Sequence, residues 1–212
     1  DIKESQDKLL EKQLKTINDV GKLLNKKVII CKTNQRQVLE SIKSPANGWA
    51  YYIHGVCIFS NAYNLSNEYS NFYFPSSNII KINNLNKEIE QLWGSSLYLD
   101  KYYSSNFFKI INKDITTRLD KIKFILKKNK DIVLKYLKVC WQNPNQEYNC
   151  SKCEKCLRTI IPIGILNKDN IKQMKTFKIN NFDKIVQKYL NTKFNSKSDN
   201  DFQNEIKNMI KH

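Results

Sequence analysis

Long hydrophobic runs are missing from this sequence, and glycine and proline are sparse. No stretch of its 212 residues approaches the roughly 18 to 20 consecutive apolar residues that a membrane span needs. With 5 Gly, 4 Pro, 41% hydrophobic and 26% charged residues, collagen-like, fibrous and disordered readings are excluded. The stretch Asp1 to Leu10 is polar and lacks an apolar signal core, so a soluble, cytoplasmic protein without a membrane partner is expected. The glycines, Gly21, Gly48, Gly55, Gly94 and Gly164, are scattered, which leaves no glycine-rich nest for a phosphate. No internal repeat is found. The chain begins at Asp1 rather than Met, and upstream sequence is expected.

Acidic residues are the minority charge. Thirty-six Lys+Arg against 20 Asp+Glu give a formal net charge of +16, which favours polyanionic partners such as nucleic acid, nucleotides or phosphates. The lysines are spread along helix-like segments, so a solvated face and a functional patch both stay open.

Of 6 cysteines, Cys31 and Cys57 stand alone in apolar segments and read as core residues. The other four are crowded as Cys140-x9-Cys150-x2-Cys153-x2-Cys156 in a chain without secretory features, and crowding of that kind points to metal rather than to disulfides. Four thiolates suit tetrahedral zinc or an iron-sulfur cluster. Zinc is preferred, because the ferredoxin run ends in a fourth Cys followed by Pro, whereas here the fourth ligand lies upstream and Leu157-Arg158 follows. Four protein ligands leave no position for water, so the zinc is expected to be structural, pinning a strand end at Cys140 to a helix starting near Cys153. Lys138, Lys152, Lys155 and Arg158 surround the motif and offset its charge.

Hydrophobic periodicity gives an alternating pattern. Ser5 to Leu24 repeats apolar residues at helical spacing, and Lys27 to Cys31 is a short apolar run of the kind buried in a parallel sheet. Trp49 to Leu65 reads as a helix, Asn71 to Pro75 and Phe107 to Ile111 as strands, and Ile115 to Lys128 as a helix capped by Thr116 or Thr117. Leu157 to Leu166, Phe182 to Leu190 and Phe202 to Ile210 read as further helices, with a polar linker over Asn191 to Asn200.

The segment VCWQNPNQEYNCSKCEKCLRTI, Val139 to Ile160, resembles the C-terminal zinc motif of the 7-cyano-7-deazaguanine synthase family and its relatives in the N-type ATP pyrophosphatase superfamily. Other pieces are similar to the same relatives in the same order: His54-Gly55, Pro75-Ser76-Ser77, Trp93-Gly94-Ser95 with Asp100, and Thr117-Arg118. The resemblance implies an α/β, Rossmann-like parallel sheet with flanking helices and a C-terminal zinc-binding helical segment. The body would occupy residues 1–139, and the cysteine motif with the last helices residues 140–212. It also implies an enzyme that uses ATP and Mg²⁺ to adenylate a carboxylate or carbonyl oxygen, releasing pyrophosphate, on an unidentified small-molecule or macromolecular substrate. Ser76, Ser77, His54, Arg118, Lys121 and Asp100 are the nucleotide- or substrate-binding candidates, and Arg158 is expected to support the thiolates. The family's SGGxDS phosphate loop does not occur in these residues and is expected before Asp1, so the chain by itself is expected to be catalytically incomplete. A basic, zinc-containing nucleic-acid-binding module and a non-catalytic scaffold are the alternatives, and a homodimer is left open.

Overall fold

The computed structural model describes residues 6–41, 48–49, 53–75, 94–96, 99–112, 117–195 and 197–211. Their contacts divide the chain into two compact units, Asp1–Val28 with Arg118–His212, and Ile29–Thr117, a grouping different from a division after residue 139.

The first unit is helical: α1 Asp7–Leu23, then α4 Arg118–Tyr136, α5 Glu154–Leu166, α6 Lys168–Gln173, α7 Phe182–Asn191 and α8 Lys197–Lys211. Its hub is α5, whose sequence EKCLRTIIPIGIL is apolar on nearly every side, as a helix surrounded by protein must be. Ile160 and Ile163 face one core with Ile122, Val133, Leu134 and the four cysteines, while Ile161 faces another with Tyr189 and Ile206. Pro162 lies inside α5 and denies the helix one N–H bond, a loss tolerated because the helix is held on both sides. Gly164 leaves room where the Phe182 ring of α7 crosses. α4 extends to Tyr136 instead of ending at Lys128, with a kink at Asn129 (φ −144°, ψ 48°).

The second unit contains α2 Gln35–Ser41, α3 His54–Tyr63, β1 Asn71–Tyr73, a single 3₁₀ turn Asp100–Tyr103 and β2 Lys109–Ile111. The two strands pair in parallel with Phe72 opposite Ile110. Phe59 of α3 anchors the core, meeting Phe74 edge-on at 5.4 Å between ring centroids and Tyr103 at 5.2 Å.

Parallel pairing and flanking helices agree with the expected class, but the described residues form a sheet of two strands, not a full Rossmann-like sheet. The expected strand Lys27 to Cys31 is not one: the segment runs without a strand partner among the described residues, and Ile29 and Ile30 are 39% and 47% exposed. A continuous apolar strand needs both faces covered, and here neither residue is. Cys31 is accordingly exposed rather than core, whereas Cys57 is buried as expected. No helix among the described residues is long and apolar enough to cross a membrane.

Candidate metal centre

Two tight turns bring the four cysteines together. In Cys140-Trp141-Gln142-Asn143 and in Cys150-Ser151-Lys152-Cys153, the fourth residue's backbone N–H donates to the first residue's sulfur, at 3.4 Å and 3.2 Å. Each turn contains a left-handed residue, Asn143 at φ 43° and Ser151 at φ 60°. Asparagine enters this region easily; the serine is held there while its Oγ accepts from Lys178 N at 2.8 Å. Cys153 then stands at the N-cap of α5 with Cys156 in its first turn, so the positive end of the helix dipole lies beside both sulfurs. Cys140 sits in an irregular segment, not at a strand end.

The four Sγ atoms lie within 4.8 Å of one another, with Cys140 to Cys153 and Cys150 to Cys156 each at 3.9 Å. Thiolates at the zinc–sulfur distance of about 2.3 Å form a tetrahedron with edges of about 3.8 Å, so this set fits one tetrahedral ion. All four side chains are buried. Burial pushes the Cys153 thiol up to about 11 and Cys156 higher still. Burial acts upward on Cys140 too, but hydrogen bonds from the backbone at Cys150, Asn143 and Gln142 outweigh it and hold that thiol at about 7. The Cys140 thiolate forms readily while Cys153 and Cys156 resist ionisation, and a divalent cation would stabilise their charged forms. These residues can therefore hold a metal such as zinc.

Asn149, which spacing alone did not single out, organises the site. Its Oδ1 accepts from the backbone N–H of Val139 (2.9 Å) and Cys140 (3.1 Å), and its Nδ2 donates to the carbonyls of Leu137 (2.8 Å) and Thr176 (3.3 Å). Its place immediately before Cys150 was the available signal. Lys138 donates to the Cys140 carbonyl and to Asn143 Oδ1, both at 2.7 Å, and burial lowers its pKa while the nearby sulfurs act the other way.

Arg158 is also buried, yet its guanidinium meets Glu154 at 3.1 Å and the face of Phe202 at 4.3 Å rather than the thiolates. Arg118, at the start of α4, lies over the same Phe202 ring at 5.2 Å. Burial, and then the like charge of Arg158, lower its pKa to about 10, so it stays a cation at neutral pH. Lys121 follows one turn later, half-buried.

The remaining candidates belong to the second unit. His54 Nδ1 donates to the Trp49 carbonyl at 3.1 Å. Asp100 has no exposed surface: Oδ2 accepts from Ser95 Oγ (2.8 Å) and Asn112 Nδ2 (2.6 Å), and Oδ1 from Ser96 N (2.9 Å), so the carboxylate is committed to holding the Ser95-Ser96 loop. Ser76 and Ser77 lie outside the described residues, as does Trp93.

Fold and site together define a mostly helical protein with a small parallel sheet and a buried four-cysteine site able to hold a metal. Comparison with protein-family models, with curated proteins and with solved structures finds no match to this chain.

Proposed function

We propose that this chain is the body of an ATP-dependent adenylating enzyme of the N-type ATP pyrophosphatase kind, which activates a carboxylate or carbonyl oxygen and releases pyrophosphate, and that its cysteines hold a structural zinc. The observation that carries the reading is the cysteine motif itself. Its spacing and the Leu157-Arg158-Thr159 that follows are those of the resembled family, and its sulfurs meet at the separations one tetrahedral ion requires. A cluster of several irons would spread its thiolates around a wider core, which favours a single zinc ion.

The zinc in this reading joins the Cys140 turn to the start of α5 and performs no chemistry. Arg118 and Arg158, two cations about one aromatic ring, support the same reading, since paired guanidiniums suit phosphate oxygens. ATP and Mg²⁺ would be the cosubstrates, with Mg²⁺ held by phosphate oxygens. Four reduced thiols go with a cytoplasmic location.

The test is formation of AMP and pyrophosphate from ATP·Mg²⁺ by the intact gene product over a panel of carboxylates, alongside metal analysis. Equal amounts of both products and one zinc per chain support the reading. ATP left untouched by every carboxylate overturns the enzyme, and several irons per chain overturn the zinc.

A further inference from the structure

Four lysines of α4, Lys123, Lys127, Lys128 and Lys130, meet no carboxylate among the described residues. Elsewhere in the same unit Lys168, Lys172 and Lys178 hold carboxylates at 3.1, 3.3 and 2.7 Å, while others, Lys8, Lys15 and Lys22 of α1 among them, meet none among the described residues. Along the whole of α4 the acidic residues are Asp120 and Asp131. On α4 the four unpaired lysines fall within eight positions and outnumber the two acidic residues.

That charge borders a depression. Lys123, Lys127 and Lys130 line an open groove of about 340 Å³ with Leu126, Leu166 and Asn170. The three lysines sit at i, i+4 and i+7, which places them on one side of a helix over about 10 Å at 1.5 Å rise per residue. The break at Asn129 falls inside this row, and Lys130 still lines the groove beyond it. Asn170 is 5% exposed and its Oδ1 has no hydrogen-bond partner, a costly state for a buried acceptor that a ligand N–H or hydroxyl would relieve. Phe124, 62% exposed, stands beside Lys123 and one turn before Lys127 and Lys128.

Unpaired cations in a row, an exposed aromatic ring among them and an unmet acceptor in the groove match the needs of one ligand class. We propose that this groove binds single-stranded nucleic acid, with phosphates on Lys123, Lys127 and Lys130, a base stacked on Phe124, and a base N–H or ribose hydroxyl donated to Asn170. A cationic groove with an aromatic platform is how sequence-tolerant single-strand binders work. An anionic bilayer is flat and suits a convex apolar face, which a concave groove is not. The proposal does not depend on the adenylating reading, since none of its residues belongs to the nucleotide candidates.

Fluorescence anisotropy with labelled oligouridylate and oligothymidylate 20-mers, titrated across salt concentrations, tests it. Three variants are compared: K123Q/K127Q/K130Q, F124A, and the charge-matched K8Q/K15Q/K22Q on α1. All the replaced residues are exposed, and unchanged metal content and melting temperature establish that each variant is folded. Loss of three phosphate contacts lowers the slope of log K against log salt by about 2. F124A weakens binding about fivefold or more with the slope retained. The α1 variant changes affinity less than twofold. Equal weakening by the two lysine triples overturns the proposal in favour of diffuse charge. Failure to bind either oligonucleotide overturns it as well, as does lysine-dependent binding to phosphatidylserine vesicles that exceeds binding to the oligonucleotides.

Discussion

The molecule buries acidic groups in two different ways. In the helical unit, four thiols converge at Cys140, Cys150, Cys153 and Cys156, and the N–H donors offered to them are too few for four negative charges. In the other unit, the Asp100 carboxylate accepts from three neutral donors belonging to Ser95, Ser96 and Asn112. The first arrangement is complete only with a cation supplied from outside; the second is complete within the chain. Burial alone therefore does not tell a structural anchor from a binding site. The balance of donors against charge does, and it predicts opposite responses to chelation.

Stripping the metal is the strongest way to test that contrast. Chelation, or Cys153→Ser, is expected to remove the ion and loosen the core that Cys153 shares with Ile160, Ile163, Met174 and Phe177, with an effect on the order of 10 kcal/mol. Hydrogen exchange read residue by residue checks it: protection should collapse over residues 133–177 and persist over residues 99–111. Equal loss in both segments would break the comparison.

Acidity sharpens it further. Cys153, raised to about 11, and Cys156, raised further, are protonated at pH 8 in the metal-free site, so metal binding must expel at least those two protons. The metal-bound state holds fewer protons than the metal-free one, hence affinity is lost as pH falls. The expected loss is about a hundredfold per pH unit below pH 8, measured by competition with a chromophoric chelator, together with proton release seen by calorimetry in buffers of different ionisation enthalpy. A pH-independent affinity would show that the sulfurs are not the ligands.

How much of this was legible in the sequence follows the same division. The cysteine spacing announced the metal site because ligand chemistry is local: two turns and a helix start, all within Cys140 to Cys156, suffice to build it. Helix spans such as Phe182–Asn191 were legible from apolar periodicity for the same reason. Sheet membership was legible in part, since Asn71 to Pro75 and Phe107 to Ile111 contain the two strands that pair. Lys27 to Cys31 has the composition of a buried strand, but a strand is made by a neighbour far along the chain, and Ile29 and Ile30 stand exposed without one. Asn149 and Asn112 were missed because such an amide is recognised by what it bonds, which spacing does not encode. The role of Arg158 shifted for a related reason, as its partner Phe202 is 44 residues away.

Among smaller effects, Asp100→Ala strands the Ser95 and Asn112 donors and the Ser96 N–H, and about 3 kcal/mol of stability is expected to go, the same with or without chelator. Urea denaturation of the variant in both conditions measures this, and a loss that appears only when metal is present would contradict the self-contained character of the Asp100 network.

Gly55→Ala tests the same network from its far side. A methyl group on Gly55 would overlap the Gly94 carbonyl oxygen and come within 3.3 Å of Ser95 Cα, all backbone that cannot turn aside as a side chain can. Either α3 lifts or the Gly94-Ser95-Ser96 loop retreats, and the loop is held by Asp100. The expected cost is about 2 kcal/mol, smaller than that of removing Asp100 because overpacking relaxes in part. The two changes should not add. With Asp100 replaced, the loop is free to yield and the methyl costs less, so the double variant should retain about 1 kcal/mol more stability than the sum of the singles allows. Strict additivity in a urea double-mutant cycle would mean that Asp100 does not fix the loop against α3, and that its three hydrogen bonds serve only its own burial.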